Sequence, residues 1–374
     1  MFDPALWAKV PFHFWSGVIF WLGCMVGSFL NVCIHRMPFG KSVISPPSHC
    51  PHCNYSIPFY LNVPLVTWLM LRGKCKNCQA PISGRYFVVE LLTGIMFLGC
   101  WLRYGQNSSA VAMVMCLVMA GLIVATFIDL AHFIIPDEIT IGGIVVGFLC
   151  SFAVPALHPA AAGQGTKSLR ECFFGIVVGG LLVEAVRQAG KLAFGRLNLA
   201  LDGDTKVFFG DTGMVLPDRE VPYDEIFYRK SDVIRFEAKL VEMVDRCYRS
   251  VPIRISQEKV QIGDDTFDPE PIKHWEVVTD GMVLPREAMG LGDVKFMGAI
   301  GAFLGWQATV FSLVMSSMIG AFVGITLIAL RRQDWSSRLP YGPYIALAAM
   351  IWVFGGSGLL GWWLNWLSQR AASQ

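Results

Sequence analysis

The sequence predicts an all-α polytopic membrane protein of about eight transmembrane helices with a small β-rich soluble insertion. Three observations carry this. The 374 residues are 54% hydrophobic with mean hydropathy +0.51, which is too apolar for an ordinary soluble enzyme. The apolar residues fall in long blocks rather than in short alternating stretches. The acids crowd into one segment: 196–287 holds 19 of the 28 acids and 13 of the 30 bases, a charge near −6 against near +8 for the rest.

A helix needs roughly 20 apolar residues to cross the hydrocarbon. Runs of about that length are Phe14 to Ile34, Tyr86 to Leu102, Val111 to Ile128, Ile139 to Leu157, Cys172 to Phe194, Val294 to Trp306, Thr309 to Leu330 and Tyr341 to Leu367. Val294 to Trp306 is the shortest, and its ends are open: either it begins before Asp293 or it passes into the next run through a tight turn at Gly305. The first run lacks a small-residue cleavage site before polar sequence, so it is expected to stay as a helix.

Lys and Arg mark the cytoplasmic loops. Arg36, Lys41, Arg72, Lys74, Lys76 and Arg85 lie between the first two runs, and Arg331, Arg332 and Arg338 between the last two. The other side carries Lys9, Arg103, Lys167, Arg170 and Arg370. Eight crossings then leave both termini outside and put Asp129 and Asp293 at the cytoplasmic edge. No basic patch interleaved with exposed aromatics appears, so nucleic acid is not an expected partner.

The insertion reads as strand. Ile234, Phe236, Ala238 and Leu240 alternate with charged residues, and Val251 to Ile255 and Lys259 to Ile262 are further short strands. Gly213-Met214-Val215-Leu216-Pro217 recurs as Gly281-Met282-Val283-Leu284-Pro285, either as two related strand-turn units or as chance plus shared turn chemistry. No catalytic constellation stands out in this segment.

Cys50-Pro51-His52-Cys53 and Cys75-Lys76-Asn77-Cys78 are two CxxC pairs separated by 21 residues. Each knuckle turns two thiolates toward one ion, and the second closes a tetrahedron, so the spacing points to Zn2+. Four thiolates leave no open position, which makes the metal structural. The alternatives are two disulfides or four free thiols, and a reducing cytoplasm disfavours disulfides. The other seven cysteines fall mostly in apolar runs and read as small buried residues.

Gly290-Leu291-Gly292-Asp293 sets an acid at the mouth of an apolar segment, and Asp129 ends another apolar run. An acid at membrane depth is expensive, so each is a candidate functional group, although one alone also fits a solvated helix end. Together they suggest two carboxylates sharing a proton, the ionised one taking a proton from an attacking water and the other donating to the scissile carbonyl. Gly290 and Gly292 let backbone approach a peptide beside Asp293, or serve close helix packing. Asp137 and Glu138 read as caps of the next helix, with Asp137 the second candidate acid. Lys295 is two positions past Asp293, so on a helix it points elsewhere, toward water or headgroups. Gly298, Gly301 and Gly305 read as a close-packed helix face, and no glycine-rich dinucleotide loop is present.

These residues carry a resemblance. Gly27 to Pro38, the two CxxC pairs, Asn62-Val63-Pro64, Leu71 to Cys75, Ile82 to Tyr86 and Val89-Glu90-Leu91 resemble the bifunctional type IV prepilin peptidases, GxGD-type membrane aspartyl proteases. So do Ile128-Asp129-Leu130, Ile135-Pro136-Asp137, Gly290 to Lys295 and Pro340-Tyr341-Gly342-Pro343. The resemblance implies removal of the basic leader of type IV prepilins and secretion pseudopilins at the cytoplasmic face of the inner membrane. It also implies methylation of the new N-terminal residue, usually Phe, with S-adenosylmethionine. Asp129 and Asp293 carry over as the catalytic pair, and Cys50, Cys53, Cys75 and Cys78 as a metal-binding cytoplasmic subdomain.

Two positions depart from the family pattern: Leu291 stands where an aromatic is common, and Ala131 where an acid is often found. The insertion has no counterpart in the short loop of typical members. Peptidase work without methyl transfer is an alternative, which the intact amino-terminal region disfavours. A proton-coupled transporter is another; it would call for acids deep in the bilayer and repeated spans, and neither is evident. A non-enzymatic scaffold would leave both Asp motifs without a purpose. The expected division is 1–35 first helix, 36–85 zinc-binding domain, 86–195 helices two to five, 196–287 soluble insertion and 288–374 helices six to eight.

Overall fold

The computed structural model describes residues 11–158, 164–216, 220–223, 226–227, 232–243, 246–268, 275–285, 289–330 and 339–372. Lys9, Arg331, Arg332 and Arg338 of the loop-charge argument lie outside them. The chain forms two compact units, Met1–Glu184 with Leu291–Gln374, and Ala185–Gly290.

The first unit is helical. Helix α1 (Phe12–Arg36) starts after Pro11, whose fixed φ suits a helix entrance. A loop containing the short α2 (Val66–Met70) leads to α3 (Gly84–Tyr104), capped by the Ser83 hydroxyl accepting from the Arg85 amide. Helix α4 (Ser109–His132) is capped in the same way by Ser108, which accepts from Val111. Then come α5 (Asp137–Ala153), α6 (Gly165–Phe194), α7 (Leu291–Leu304), α8 (Trp306–Ala329), α9 (Gly342–Ile351) and α10 (Ser357–Ala372).

Among the described residues, four helices are long and apolar enough to cross a membrane: Phe12–Phe39, Gly84–Tyr104, Ser109–His132 and Trp306–Ala329. Their burial differs by role. In its most apolar stretch α4 is 72% buried and α8 only 11%, so α4 is the central post and α8 turns its apolar surface outward. Helix α7 has 14 residues, or about 21 Å at 1.5 Å per residue, short of the roughly 30 Å hydrocarbon. It begins before Asp293 and also passes into α8 through Gly305, whose φ of +80° suits glycine.

The run Tyr341 to Leu367 is not one helix. It breaks at a π-helical turn, Trp352–Gly356, between α9 and α10. Two consecutive glycines fall there, and a Cβ at Gly356 would lie 3.1 Å from the Trp352 Cβ, so the turn depends on its missing side chain.

Helices approach where side chains are missing. A Cβ at Gly23 would lie 2.9 Å from the Gly94 Cα, and one at Gly27 2.8 Å from the Glu90 Cα, which sets α1 against α3. A Cβ at Gly147 would meet the Ala302 Cβ at 2.7 Å, joining α5 to α7. Gly175 of α6 and Gly301 of α7 meet backbone to backbone, and a Cβ on either would collide with the other's carbonyl. Of the three glycines expected on one packed face, Gly301 makes that contact, Gly298 has only ordinary neighbours, and Gly305 is the turn.

The second unit holds an eight-stranded sheet in the order β3-β2-β1-β8-β4-β5-β6-β7, with every pairing antiparallel. The strands are β1 (Arg196–Phe209), β2 (Gly213–Val215), β3 (Glu220–Pro222), β4 (Ile234–Glu242), β5 (Cys247–Ile255), β6 (Val260–Ile262), β7 (Asp265–Phe267) and β8 (Trp275–Pro285). Ile234, Phe236 and Ala238 point into its core and their charged neighbours point out, the period-2 alternation read from the sequence. Phe209 stacks on Trp275 at 4.6 Å within that core. The repeated Gly-Met-Val-Leu segments fall on β2 with its next residue, and on β8, the two neighbours of β1. Both bury their Met and Leu; Pro217, Arg219, Arg286 and Glu287 lie outside the described residues.

Gly301→Ala is expected to lower the thermal midpoint in detergent by the equivalent of about 1–3 kcal/mol, the range for overpacking. Gly180→Ala, where a Cβ meets nothing within 4 Å, should leave it unchanged or raise it. Equal midpoints for the two variants would contradict the α6–α7 contact. Asn198 and Val283 are paired across β1 and β8, so a short flexible linker can replace the residues between them. Circular dichroism of that deletion should retain the helical signal and its cooperative melt; loss of both would show that the helices need the sheet.

Candidate active site

Asp129 lies in the last turn of α4, and the chain reverses directly after His132. Phe133 adopts a left-handed conformation (φ +56°), and its amide donates to the Asp129 carbonyl at 2.9 Å. The reversal carries buried Ile135 back beside Asp129, and Pro136 opens α5. Asp293 lies in the first turn of α7, where unpaired N–H groups and the helix dipole favour a carboxylate. Both acids are buried, at 5% and 8% exposure, so neither is a simple solvated helix end.

Two glycines and Ile135 draw the motifs together. The Gly342 amide, at the start of α9, donates to the Asp129 Oδ2 at 2.9 Å. A Cβ at Gly342 would sit 2.7 Å from that oxygen and 3.1 Å from the Ile135 Cδ1. A Cβ at Gly292 would sit 3.5 Å from the Ile135 Cβ. Gly292, next to Asp293, and Gly342, next to the Asp129 carboxylate, therefore pack on the same isoleucine. Gly290 precedes α7 as exposed chain, and Leu291 is exposed beside it.

Asp137 opens α5 and also accepts from Lys295 at 2.7 Å, so Lys295 reaches across to the neighbouring helix rather than only to water or headgroups. The helix geometry turns Lys295 away from Asp293, as expected, but toward an acid 158 positions earlier in the chain. Tyr341, beside Gly342, shares hydrogen bonds with Ser316 and Ser317 at 2.9 and 3.0 Å, which anchors the start of α9 to α8.

The four cysteines form a second centre. Each CxxC sits in a small hairpin, and the two hairpins repeat with one geometry. The Cys50 amide donates to Tyr55 and the Cys75 amide to Ala80; Asn54 and Gln79 are both left-handed and donate back to Cys50 and Cys75. The isolated bridges His49 with Ser56 and Lys74 with Pro81 close the two units. All four sulfurs lie within 4.8 Å of one another, with Cys50–Cys78 at 3.8 Å and Cys53–Cys75 at 4.0 Å. A tetrahedron with metal–sulfur bonds near 2.3 Å has an edge of about 3.8 Å, so the donor set fits one four-coordinate dication. Backbone N–H donation at Tyr55, helped by the Asn77 amide, pulls the Cys53 thiol down to about 6, and N–H groups at Cys78 and Asn77 lower Cys75. Cys78 is instead pushed up to about 12, because the Ala80 N–H is outweighed by burial and the three facing thiols, so without a cation the four do not ionise together.

Of the remaining cysteines, Cys24, Cys33, Cys100, Cys116 and Cys172 are buried, as expected of small apolar residues, whereas Cys247 on β5 is exposed. Glu90 was not singled out from sequence. It is a buried acid on α3, and its Oε2 accepts the Leu65 amide at 2.8 Å, tying the cysteine-bearing loop to the helices. An acid inside an apolar run was the available signal. Gly342 was likewise noted only within a motif, because nothing local reveals an amide aimed at Asp129.

Two family models match the chain. Residues 21–104 match the bacterial peptidase A24 N-terminal domain, and 116–210 with 277–325 match the type IV leader peptidase family. A type 4 prepilin-like proteins leader peptide-processing enzyme of Escherichia coli O78:H11 is 35% identical across 50% of this chain and 71% of its own length. The chain belongs to the type IV leader peptidase family. A prepilin leader peptidase/N-methyltransferase of Aeromonas hydrophila is 28% identical over 95% of this chain and 96% of that protein. One of Myxococcus xanthus is 29% identical over 92% and 73%. No solved structure matches. The family match breaks off at 210 and resumes at 277, so its gap falls inside the sheet unit.

Proposed function

We propose that this leader peptidase cuts the leader from type IV prepilins and pseudopilins with Asp129 and Asp293 as its two carboxylates. The observation that carries the reading is the convergence of Gly292 and the Gly342–Asp129 hydrogen bond on Ile135, which draws two distant acid motifs together. One carboxylate, ionised, takes a proton from water as the oxygen attacks the scissile carbonyl. The other donates a proton to the carbonyl oxygen, and then one passes to the departing amine. The proton belongs to the pair. Gly290 and Gly292 carry no side chains beside Asp293, which suits close approach of an extended peptide backbone. Both acids sit at helix ends, which supports a peptidase over a proton relay through the bilayer.

The new amino terminus is then methylated. This rests on the relatives named N-methyltransferase and on the matched N-terminal domain. S-adenosylmethionine, when bound, supplies an electrophilic methyl group. Zn2+ is the ion proposed for Cys50, Cys53, Cys75 and Cys78, with a structural role because the four thiolates complete its shell. The chain is proposed to cross the inner membrane eight times, with the short α7 and the long α8 as separate crossings and α9 and α10 sharing one. The Lys- and Arg-rich loop between α1 and α3 faces the cytoplasm, and so do both acids. The division proposed is first helix 1–35, zinc domain 36–85, helices with Asp129 86–195, insertion 196–287 and helices with Asp293 288–374.

Purified protein should remove the leader from a prepilin substrate, and Asp129→Ala and Asp293→Ala should each lower kcat by at least about 10³-fold. Full activity in either variant sinks the assignment. Elemental analysis should find one zinc per chain, lost in Cys50→Ser and Cys78→Ser together with part of the thermal stability. Undiminished zinc in both would refute the site.

A further inference from the structure

A cavity of about 370 Å³ lies between α1 and the loop that follows it, and neither Asp129 nor Asp293 lines it. That volume falls within the roughly 300–1,000 Å³ of small-molecule sites. On α1 its wall runs from Met25 through Ser28, Phe29 and Val32 to Arg36, positions that recur on one side of a helix over about 16 Å and end at its last residue. Ser48, Asn62 and Pro64 of the loop face them. Arg36 ties this loop to the helix, its guanidinium donating to the Ser42 and Pro46 carbonyls at 3.1 and 2.7 Å. Glu90, the buried acid of α3, does not line the cavity, but both of its contacts adjoin it. Its carboxylate accepts the Leu65 amide at 2.8 Å, next to Pro64, and is hydrogen-bonded to Ser28. A glutamine could accept the same amide, so the tie alone does not call for a charge. An acid at membrane depth is costly to keep, and neither the peptidase chemistry nor the four-cysteine centre uses this one.

We infer that this cavity binds S-adenosylmethionine, with Glu90 supplying the negative charge that suits the ligand's sulfonium and ammonium and Arg36 the positive charge that suits its carboxylate. The inference rests on the proposed methyl transfer. The wall has both characters such a ligand needs. Phe29 and Val32 offer apolar surface to an adenine ring, and Ser28, Ser48 and Asn62 offer polar groups to a ribose and an amino acid. A phospholipid is the competing occupant, but Glu90 repels a phosphate where it attracts a ligand of net positive charge. The position also suits the order of the two reactions. Phe39, three residues beyond Arg36, packs its ring on His132 at 5.3 Å, and His132 is three residues beyond Asp129. The end of α1 that closes the cavity therefore meets the end of α4 that carries a peptidase acid, so the amine freed by cleavage arises at a neighbouring helix end.

Binding is measured on the full chain in detergent by equilibrium dialysis with radioactive S-adenosylmethionine. Val32→Trp and Ser48→Trp, which fill the cavity from its two walls, should each raise Kd at least about tenfold. Gly180→Leu on α6, where a Cβ meets nothing within 4 Å, should match wild type. Glu90→Gln keeps an acceptor for the Leu65 amide and loses the charge. It should weaken S-adenosylmethionine at least about tenfold, and S-adenosylhomocysteine, which lacks the sulfonium charge, by less than about threefold. Ultraviolet cross-linking of the wild-type protein, which needs no variant, should place the radioactive group within residues 25–48 or 62–64. Wild-type Kd in both Trp variants, or cross-links confined to other segments, overturns the inference and leaves methyl transfer standing. Loss of bound phospholipid from the Trp variants with S-adenosylmethionine held as in wild type overturns it in favour of the lipid. Equal weakening of the two ligands in Glu90→Gln overturns the role given to its charge. Failure of the wild-type protein to bind S-adenosylmethionine removes the methyl-transfer reading itself.

Discussion

The hydrogen bond from the Gly342 amide to Asp129 is the constraint on which the rest of the site depends. It is buried, so neither partner has water as a ready substitute, and leaving either unmet is costly. It also requires glycine, since a Cβ at 342 would lie 2.7 Å from the carboxylate oxygen it serves. The free amides at the start of α9 thus face the last turn of α4, where the helix dipole alone would oppose a carboxylate. Through Ile135 the same point of contact reaches Gly292 and the start of α7.

Around that point the helices pack by omission. Side chains do not drive helices together in lipid as they do in water, so close approach needs small residues. The Gly175–Gly301 and Gly147–Ala302 contacts hold α7 against α6 and α5, although α7 is too short to span the bilayer alone. A short, tightly held helix suits a site at the membrane edge: it can start at the carboxylate level and end at the Gly305 turn without a long apolar run of its own. Gly121 and Gly142 are the counterexample within the same unit, since a Cβ at either would meet nothing within 4 Å among the described residues.

Much of this was legible in the sequence because the signals are local. Apolar blocks mark helices wherever they occur, alternation around Ile234 marks a strand, and two CxxC pairs mark a metal centre whatever lies between them. The acids could be picked out because a charge bordering an apolar run is conspicuous. Long-range pairings left no such trace. Lys295 and Asp137 are 158 residues apart and Gly342 and Asp129 are 213 apart, so spacing on one helix says nothing about either. The break at Gly355 was hidden for another reason, since hydropathy does not change where a helix interrupts itself within apolar sequence.

The insertion can be accommodated on the same physical grounds. Its first and last strands are its own neck: Arg196 pairs with Pro285 and Leu197 with Leu284, so the two ends of the added segment are held side by side by backbone hydrogen bonds. They join the chain after α6 and before α7, and those helices already meet at Gly175 and Gly301. A domain whose ends lie together, inserted between elements that are themselves neighbours, asks the helices for no new geometry. The interrupted family match has the same form, stopping at 210 within the sheet unit and resuming at 277 on β8. The sheet also closes over a core of its own residues, so its fold is specified within the added segment.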